Sequence, residues 1–376
     1  MGWDDLTGQT EAIAIARAAA AEDGLTHSWL ITGPPGSGRS ILAYAFAAAL
    51  ITRPGEEEAT EAQVAARTHP DLGVLATERV TITIDEVRSL VAASQFSPSV
   101  GRYRVMVVED ADRMTERTSN VLLKALEEPP PRTVWILCAP SAADLVPTIR
   151  SRVRTVRLRT PAVTEVAELI VRRDGVSPAE AERAAREAQS HIGMAHRLAT
   201  SEQARDRRRR TLELALGIRS VAGAVLAATE LVALATDDAK AFTEEHDAEE
   251  RERALRSLGI EPGAAVPPGL RGQIKALEDD QKRRATRSLR DGIDRILVDL
   301  LSLYRDILLI QLGVGSEPVN LAIQGELDAA AARCEPADTL RTLDAIAQAR
   351  ERIEGNVAPA LALEAMLVSA VREGAR

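Results

Sequence analysis

Lysine is almost missing from this chain: Lys124, Lys240, Lys275 and Lys282 are the only four, so arginine carries nearly all the positive charge. That bias reads as the codon usage of a GC-rich bacterial genome. Aromatic residues make up only 2% of the 376 residues while apolar residues make up 45%, many of them alanine. Small side chains in that proportion favour close helix packing over a β-sandwich. Cys138 and Cys334 are too few, and too far apart in sequence, for a disulfide framework or a cysteine-rich zinc site. No apolar run reaches the length of a membrane span and no signal peptide is evident, so the expectation is a cytoplasmic protein without a membrane partner. A net charge of −9 argues against a free-standing nucleic-acid binder.

The most informative stretch that is present is Gly33-Pro34-Pro35-Gly36-Ser37-Gly38-Arg39-Ser40. It has the G-x-x-x-x-G-K-[ST] form of a phosphate-binding loop, with arginine in place of lysine. Ser28–Thr32 before it reads as a buried strand, and Ile41–Leu50 after it as an apolar helix. In that setting backbone N–H groups and the helix N-terminus favour a polyphosphate. Gly33, Pro35, Gly36, Ser37, Gly38, Arg39 and Ser40 are therefore the expected nucleotide-binding residues. Lysine and arginine are not equivalent at a tight phosphate site.

Strands are expected at Trp29–Thr32, Asp71–Leu75, Val105–Val108 and Val134–Cys138, with amphipathic helices between them. Short apolar strands alternating with helices predict a parallel sheet covered on both faces. From Pro161 onward the pattern is helical, with Ser177-Pro178 as a start signal and Gly193 as a break. Ile293, Ile296, Leu297, Leu300, Leu301, Tyr304 and Leu308 recur at helical spacing, which predicts a buried helix face. Asp237–Arg256 and Ala276–Arg290 are heavily charged and flank the Gly/Pro-containing stretch Gly263–Gly272, a pattern that predicts a solvated helical hairpin. Arg207–Arg210 is the one basic cluster; a solvated helical face paired with local acids is the expectation, with contact to DNA phosphates the alternative, and no aromatic side chain accompanies it to stack bases.

Val105–Asp110 has the form of a buried strand ending in acidic residues, the second element of a nucleotide site. An ATPase of this class places aspartate first, for Mg²⁺, and glutamate second, to orient water. In Glu109-Asp110 the order is reversed, so weak hydrolysis at best is expected. Further along come Asn120–Pro130, with its run Leu122-Leu123-Lys124-Ala125-Leu126-Glu127-Glu128-Pro129-Pro130, and then Ser151-Arg152-Val153.

On these motifs the chain resembles the subunits of the bacterial replicative clamp loader of DNA polymerase III, within the AAA+ ATPases. The nearest likeness is to the stator-type delta-prime family, in an actinobacterial form. Trp3–Gln9, His69-Pro70-Asp71, Ile84–Arg88 and the C-terminal run Asn356–Glu364 fit the same family. The resemblance implies an α/β AAA+ module with a P-loop-type parallel sheet over residues 1–160, a helical lid over 161–208, and an all-α collar over 209–376. The charged hairpin at about 236–285 is then an insertion. It also implies that Arg152 is an arginine finger acting in trans on a neighbour's ATP. The partners it implies are the gamma/tau motor subunits and delta, with the sliding clamp and primer-template DNA reached through the assembled complex.

Three departures, together with Arg39 in place of the loop lysine, point to a non-motor subunit. Glu109-Asp110 are reversed, Ala139-Pro140 stand where a polar sensor of the γ-phosphate belongs, and His196 stands where a second sensing arginine belongs. ATP or ADP with Mg²⁺ is the implied cofactor, the metal lying at Ser40 and Glu109 only when nucleotide is present. Residues 52–68 contain no cysteine, so the four-cysteine zinc module of related motor subunits is not expected. An ATP-hydrolysing motor subunit of the gamma/tau kind is the alternative.

Overall fold

The computed structural model describes residues 2–21, 25–77, 80–257, 271–355 and 357–371. Most of Gly263–Gly272, and Asn356, lie outside the described residues. The chain divides into two units, Met1–Thr200 and Ser201–Arg376.

In chain order the first unit runs α1 (Thr10–Ala21), β1 (Ser28–Thr32), α2 (Arg39–Ile51), α3 (Glu57–Ala65), β2 (Leu72–Leu75), α4 (Ile84–Ser94), β3 (Arg104–Val108), α5 (Glu116–Glu127), β4 (Thr133–Ala139), α6 (Pro147–Arg150), β5 (Arg154–Arg157), α7 (Val163–Asp174), α8 (Pro178–Glu187) and α9 (Ile192–Thr200). The five strands form one sheet, ordered β2-β3-β4-β1-β5, and every neighbouring pair is parallel. The expected α/β module is present.

Side chains alternate across a strand, and here both faces are buried. Trp29, Ile31, Val105, Val107, Ile136 and Cys138 join one core with Leu42 and Phe46 of α2. Leu30, Met106, Val108, Trp135 and Leu137 join the other with Leu122 and Leu126 of α5. The Trp29 and Phe46 rings meet edge to face, with centroids 5.2 Å apart. Cys138 is fully enclosed in this packing, and burial pushes its thiol far up, so it behaves as a small core residue.

β5 is the strand that the sequence pattern does not announce. Of Arg154-Thr155-Val156-Arg157 only Val156 is buried, as befits an edge strand with one partner. Helix starts follow their signals: Thr83 and Glu86 form a reciprocal capping box on α4, and Ser177 and Glu180 do so on α8.

The second unit holds α10 (Glu202–Gly217), α11 (Val221–Ser257), α12 (Arg271–Gln311), α13 (Gln324–Ala331), α14 (Pro336–Glu354) and α15 (Pro359–Ala370). Ile293, Ile296, Leu297 and Leu300 of the predicted face are buried in its core, together with Leu303 and Ile307. α11 and α12 run antiparallel, and Gly292 lets their backbones approach: a Cβ there would lie 3.2 Å from the Ala235 carbonyl oxygen. Farther out, the contacts are ionic. Arg251 pairs with Glu278 at 2.6 Å, and Arg284 pairs with Asp247 and Glu250. The charged stretches therefore bind each other across the hairpin rather than only facing solvent.

The basic cluster on α10 is fully engaged, but half of it is not solvated as expected. Buried Arg207 pairs with Asp238 at 2.6 Å, and buried Arg208 reaches Asp299 and Asn320. Arg209 and Arg210, on the outer side, pair with Asp206 and Glu230. Each guanidinium has an acidic partner, so the cluster is structural.

A single buried carboxylate organises the approach to β3. Asp71 accepts backbone N–H bonds from Ser99, Val100 and Gly101, the Ser99 hydroxyl, and Arg104 of β3. Burial alone would raise its pKa. The donors from Gly101, Ser99 and Val100 outweigh burial and hold it at about 2, below the ordinary 3.8. Because the folded value is depressed, this stability is fully present above about pH 4 and is lost as pH falls toward 2. Asp71→Asn is expected to lower the unfolding free energy at pH 7 by about 2 kcal/mol. It should also flatten the fall between pH 4 and pH 2 in urea titrations. A variant with the wild-type acid profile would contradict this.

Candidate functional site: the phosphate loop and its surroundings

β1 delivers the chain to the loop at the open end of the sheet. The Gly33 N–H donates to the Pro140 carbonyl at 3.1 Å, tying the loop to the end of β4. That is the use made of Ala139-Pro140: a backbone anchor without a side-chain donor. Gly36 and Gly38 have φ of +77° and +98°, a conformation that exposes backbone N–H groups and that side chains resist. Gly38 caps α2. Ser37 is buried, and its hydroxyl has no hydrogen-bond partner among the described residues.

The N-terminal segment closes one side of the loop. Leu6 is buried, and its Cδ2 would lie 3.0 Å from a Cβ on Gly38. Gln9 ties the loop to the segment after β5: its amide donates to the carbonyls of Arg159 at 2.8 Å and Ser37 at 3.3 Å, and its oxygen accepts from Arg159 N–H. Trp3 lies under the Arg17 guanidinium at 5.1 Å.

Arg39 folds back on the loop that carries it, donating to the Gly33 carbonyl at 2.8 Å. Ser40 donates to Glu109 Oε2 at 2.8 Å. The other Glu109 oxygen accepts from the Tyr44 hydroxyl at 2.5 Å and from Arg67 at 2.8 Å. Arg67 reaches it from the turn after α3, in a left-handed conformation with φ of +57°. Burial, and then the bond to Glu109, push the Tyr44 hydroxyl far above its ordinary range, so it stays a donor. Asp110 does not join this group. Its backbone is also left-handed, φ +50°, and its carboxylate pairs with Arg113 at 3.5 Å. Beside it, Asp112 is pushed upward by burial and then by the Asp110 charge. Tyr44 and Arg67 are partners that sequence reading missed. Neither belongs to a motif, and Arg67 lies 42 positions from the carboxylate it holds.

His196 turns away from the loop and pairs with Asp174 at 2.8 Å. Burial would raise the Asp174 carboxyl, yet bonds from Arg173 and His196 draw it below its usual range. The histidine that does meet the loop is His191, also unforeseen. A Cβ on Gly36 would fall 2.2 Å from its ring, and Ile192 N–H donates to the Gly36 carbonyl at 3.2 Å. A left-handed kink at Gln189 and Ser190 aims that ring, and tandem positive φ values leave no sequence signal.

Arg152 stands between α6 and β5, remote from these groups in the sequence and 37% exposed. It is held by Glu127 at 2.5 Å, by the Thr148 carbonyl at 2.8 Å and by the Ser151 hydroxyl at 3.0 Å. Glu127 belongs to the Leu-Leu-Lys-Ala-Leu-Glu-Glu run, so two of the motifs quoted above meet in space.

Among the described residues, no group of three or more His, Cys, Asp or Glu side chains is placed to hold a metal ion. Nor is any helix among them long and apolar enough to cross a membrane.

Residues 8–162 match the family described as "DNA polymerase III, delta subunit". Curated proteins are similar to part of the chain. DNA polymerase III subunit delta' of Pseudomonas aeruginosa is 37% identical over 164 residues, 41% of this chain and 50% of that protein. The Escherichia coli subunit delta' is 34% identical over 143 residues, 36% of this chain and 43% of that protein. The gamma/tau subunit of Mycobacterium tuberculosis is 28% identical over 155 residues, 39% of this chain and 27% of that protein. The chain thus spans half or less of the curated relatives it matches. Part of the chain is thus similar to part of the delta-prime subunits.

The contact between His191 and Gly36 gives a direct test of the loop's surroundings. Gly36→Ala forces a left-handed alanine, about 1–2 kcal/mol, and adds overpacking of about 1–3 kcal/mol. Only the second part depends on the imidazole. A double-mutant cycle with His191→Ala, read by urea denaturation, should return a coupling of about 1–3 kcal/mol. Simple additivity would mean that the ring and the loop do not touch.

Proposed function

We propose that this chain is a non-motor subunit of a bacterial DNA polymerase III clamp loader. Two similarities carry this reading: residues 8–162 match the family described as "DNA polymerase III, delta subunit", and part of the chain is up to 37% identical to subunit delta'. In this reading the subunit is a stator. It assembles with gamma/tau motor subunits and delta, and the assembly uses ATP to place the sliding clamp on primed DNA. Residues 161–208 act as the lid and 209–376 as the collar, with about 236–285 an insertion.

The geometry supports a subunit that does not turn ATP over. Arg39 is bonded to the loop carbonyl rather than extended from it, Glu109 is fully engaged by protein donors, and Asp110 is paired with Arg113. Pro140 offers only a carbonyl, and His196 is committed to Asp174. Gly33, Pro35, Gly36, Ser37, Gly38, Arg39 and Ser40 keep a loop able to receive phosphates through backbone N–H groups. No zinc is part of the reading.

Arg152 is the finger. A planar guanidinium suits the charge spread over a transferred phosphoryl group. Its present bond to Glu127 keeps it oriented at the surface, in reach of a neighbour once that ion pair yields.

Two measurements decide the matter. The isolated chain is expected to show no ATP hydrolysis; turnover that Arg39→Ala abolishes would instead favour a motor subunit. In a reconstituted loader, Arg152→Ala should leave assembly intact and slow the neighbouring site by roughly 10³-fold or more. An unchanged rate removes the finger.

A further inference from the structure

P-loop NTPases hold Mg²⁺ between the hydroxyl of the loop serine or threonine and a carboxylate at the end of a neighbouring strand. In this chain those groups are Ser40 and Glu109. Their mutual hydrogen bond, 2.8 Å, is compatible with a metal. The surroundings of the second carboxylate oxygen are not. It takes the Tyr44 hydroxyl at 2.5 Å and the Arg67 guanidinium at 2.8 Å. Arg67 is further fixed over the Tyr44 ring, 5.2 Å from its centroid.

A hard divalent cation is drawn to a carboxylate whose charge is uncompensated. Here the compensating charge is already supplied by an arginine, which proteins cannot deprotonate to make room. The next carboxylate, Asp110, faces Arg113. The donor set therefore does not fit Mg²⁺, although the loop itself, with left-handed Gly36 and Gly38, retains the form of a phosphate cradle.

We propose that this loop binds the phosphates of a nucleoside diphosphate or triphosphate without a divalent cation, Arg67 having taken the cation's place at Glu109. Positive charge toward the phosphates comes from the loop N–H groups and the remaining donors of Arg39. The proposal deepens the reading of the loop as a nucleotide site and rests on it.

Calorimetric titration of the full chain with ADP, in EDTA and in excess MgCl₂, tests it. The expected result is the same affinity in both buffers. Arg67→Asn, which keeps a residue tolerant of positive φ and removes the charge, should make ADP bind about tenfold tighter with Mg²⁺ than without. Arg67→Lys should stay indifferent to the metal. Tighter binding to the unmodified chain with Mg²⁺ overturns the proposal and leaves the nucleotide site standing. Indifference of Arg67→Asn to Mg²⁺ overturns the role of Arg67. No ADP binding in either buffer overturns the nucleotide site itself.

Discussion

The first unit depends on one constraint: β1 must be apolar on both faces and yet end in a loop of polar backbone. Ser28–Thr32 is buried throughout, between β4 on one side and β5 on the other. Trp29 and Ile31 fill one core while Leu30 fills the other, so the strand cannot slip by a residue without exchanging its two faces. That fixed register determines where Gly33 leaves the sheet. The Gly33–Pro140 bond, the cap of α2 and the placement of Ser40 opposite Glu109 all follow from it.

Around that loop, the polar side chains are held by bonds to other parts of the protein. Arg39 finds a carbonyl, Glu109 finds three donors, His196 finds Asp174, and Asp110 finds Arg113. A buried carboxylate without partners would be expensive, whereas one with three donors rigidifies its neighbourhood. The same logic recurs at Asp71 and, in the second unit, at Asp306. There the carboxylate accepts from the Val319 and Asn320 N–H groups and from the Asn320 side chain. With so few aromatic residues to lend bulk, satisfied carboxylates pin the segments that apolar packing does not.

Much of this was legible in the sequence. Four strands read as short apolar runs, and in β1, β3 and β4 both faces are covered, a pattern that needs no tertiary knowledge. The loop motif placed Gly33–Ser40, and the acidic run placed Glu109 beside it. β5 escaped because an edge strand with one buried residue looks like a surface segment. Tyr44 and Arg67 escaped for another reason: their roles come from contacts across tens of residues, and a left-handed arginine leaves no pattern. Motif spacing puts a second sensing arginine of the resembled family at position 196, where this chain has His196. His191 meets the loop instead, because the turn at Gln189 and Ser190 rotates the chain before α9 begins. The basic run on α10 was read correctly as acid-paired, but the burial of Arg207 and Arg208 depends on α11 and α12, far along the chain.

The triple engagement of Glu109 has a consequence for redesign of the loop. Placing lysine at position 39 would change one loop contact and leave the carboxylate as occupied as before. Removing Arg67 alone leaves charge uncompensated in a largely enclosed place, and removing the Tyr44 hydroxyl alone takes a donor from the same oxygen. Each single step toward a metal-holding carboxylate therefore begins by loosening the fold. The arrangement works as an interlock: freeing Glu109 takes several changes made together.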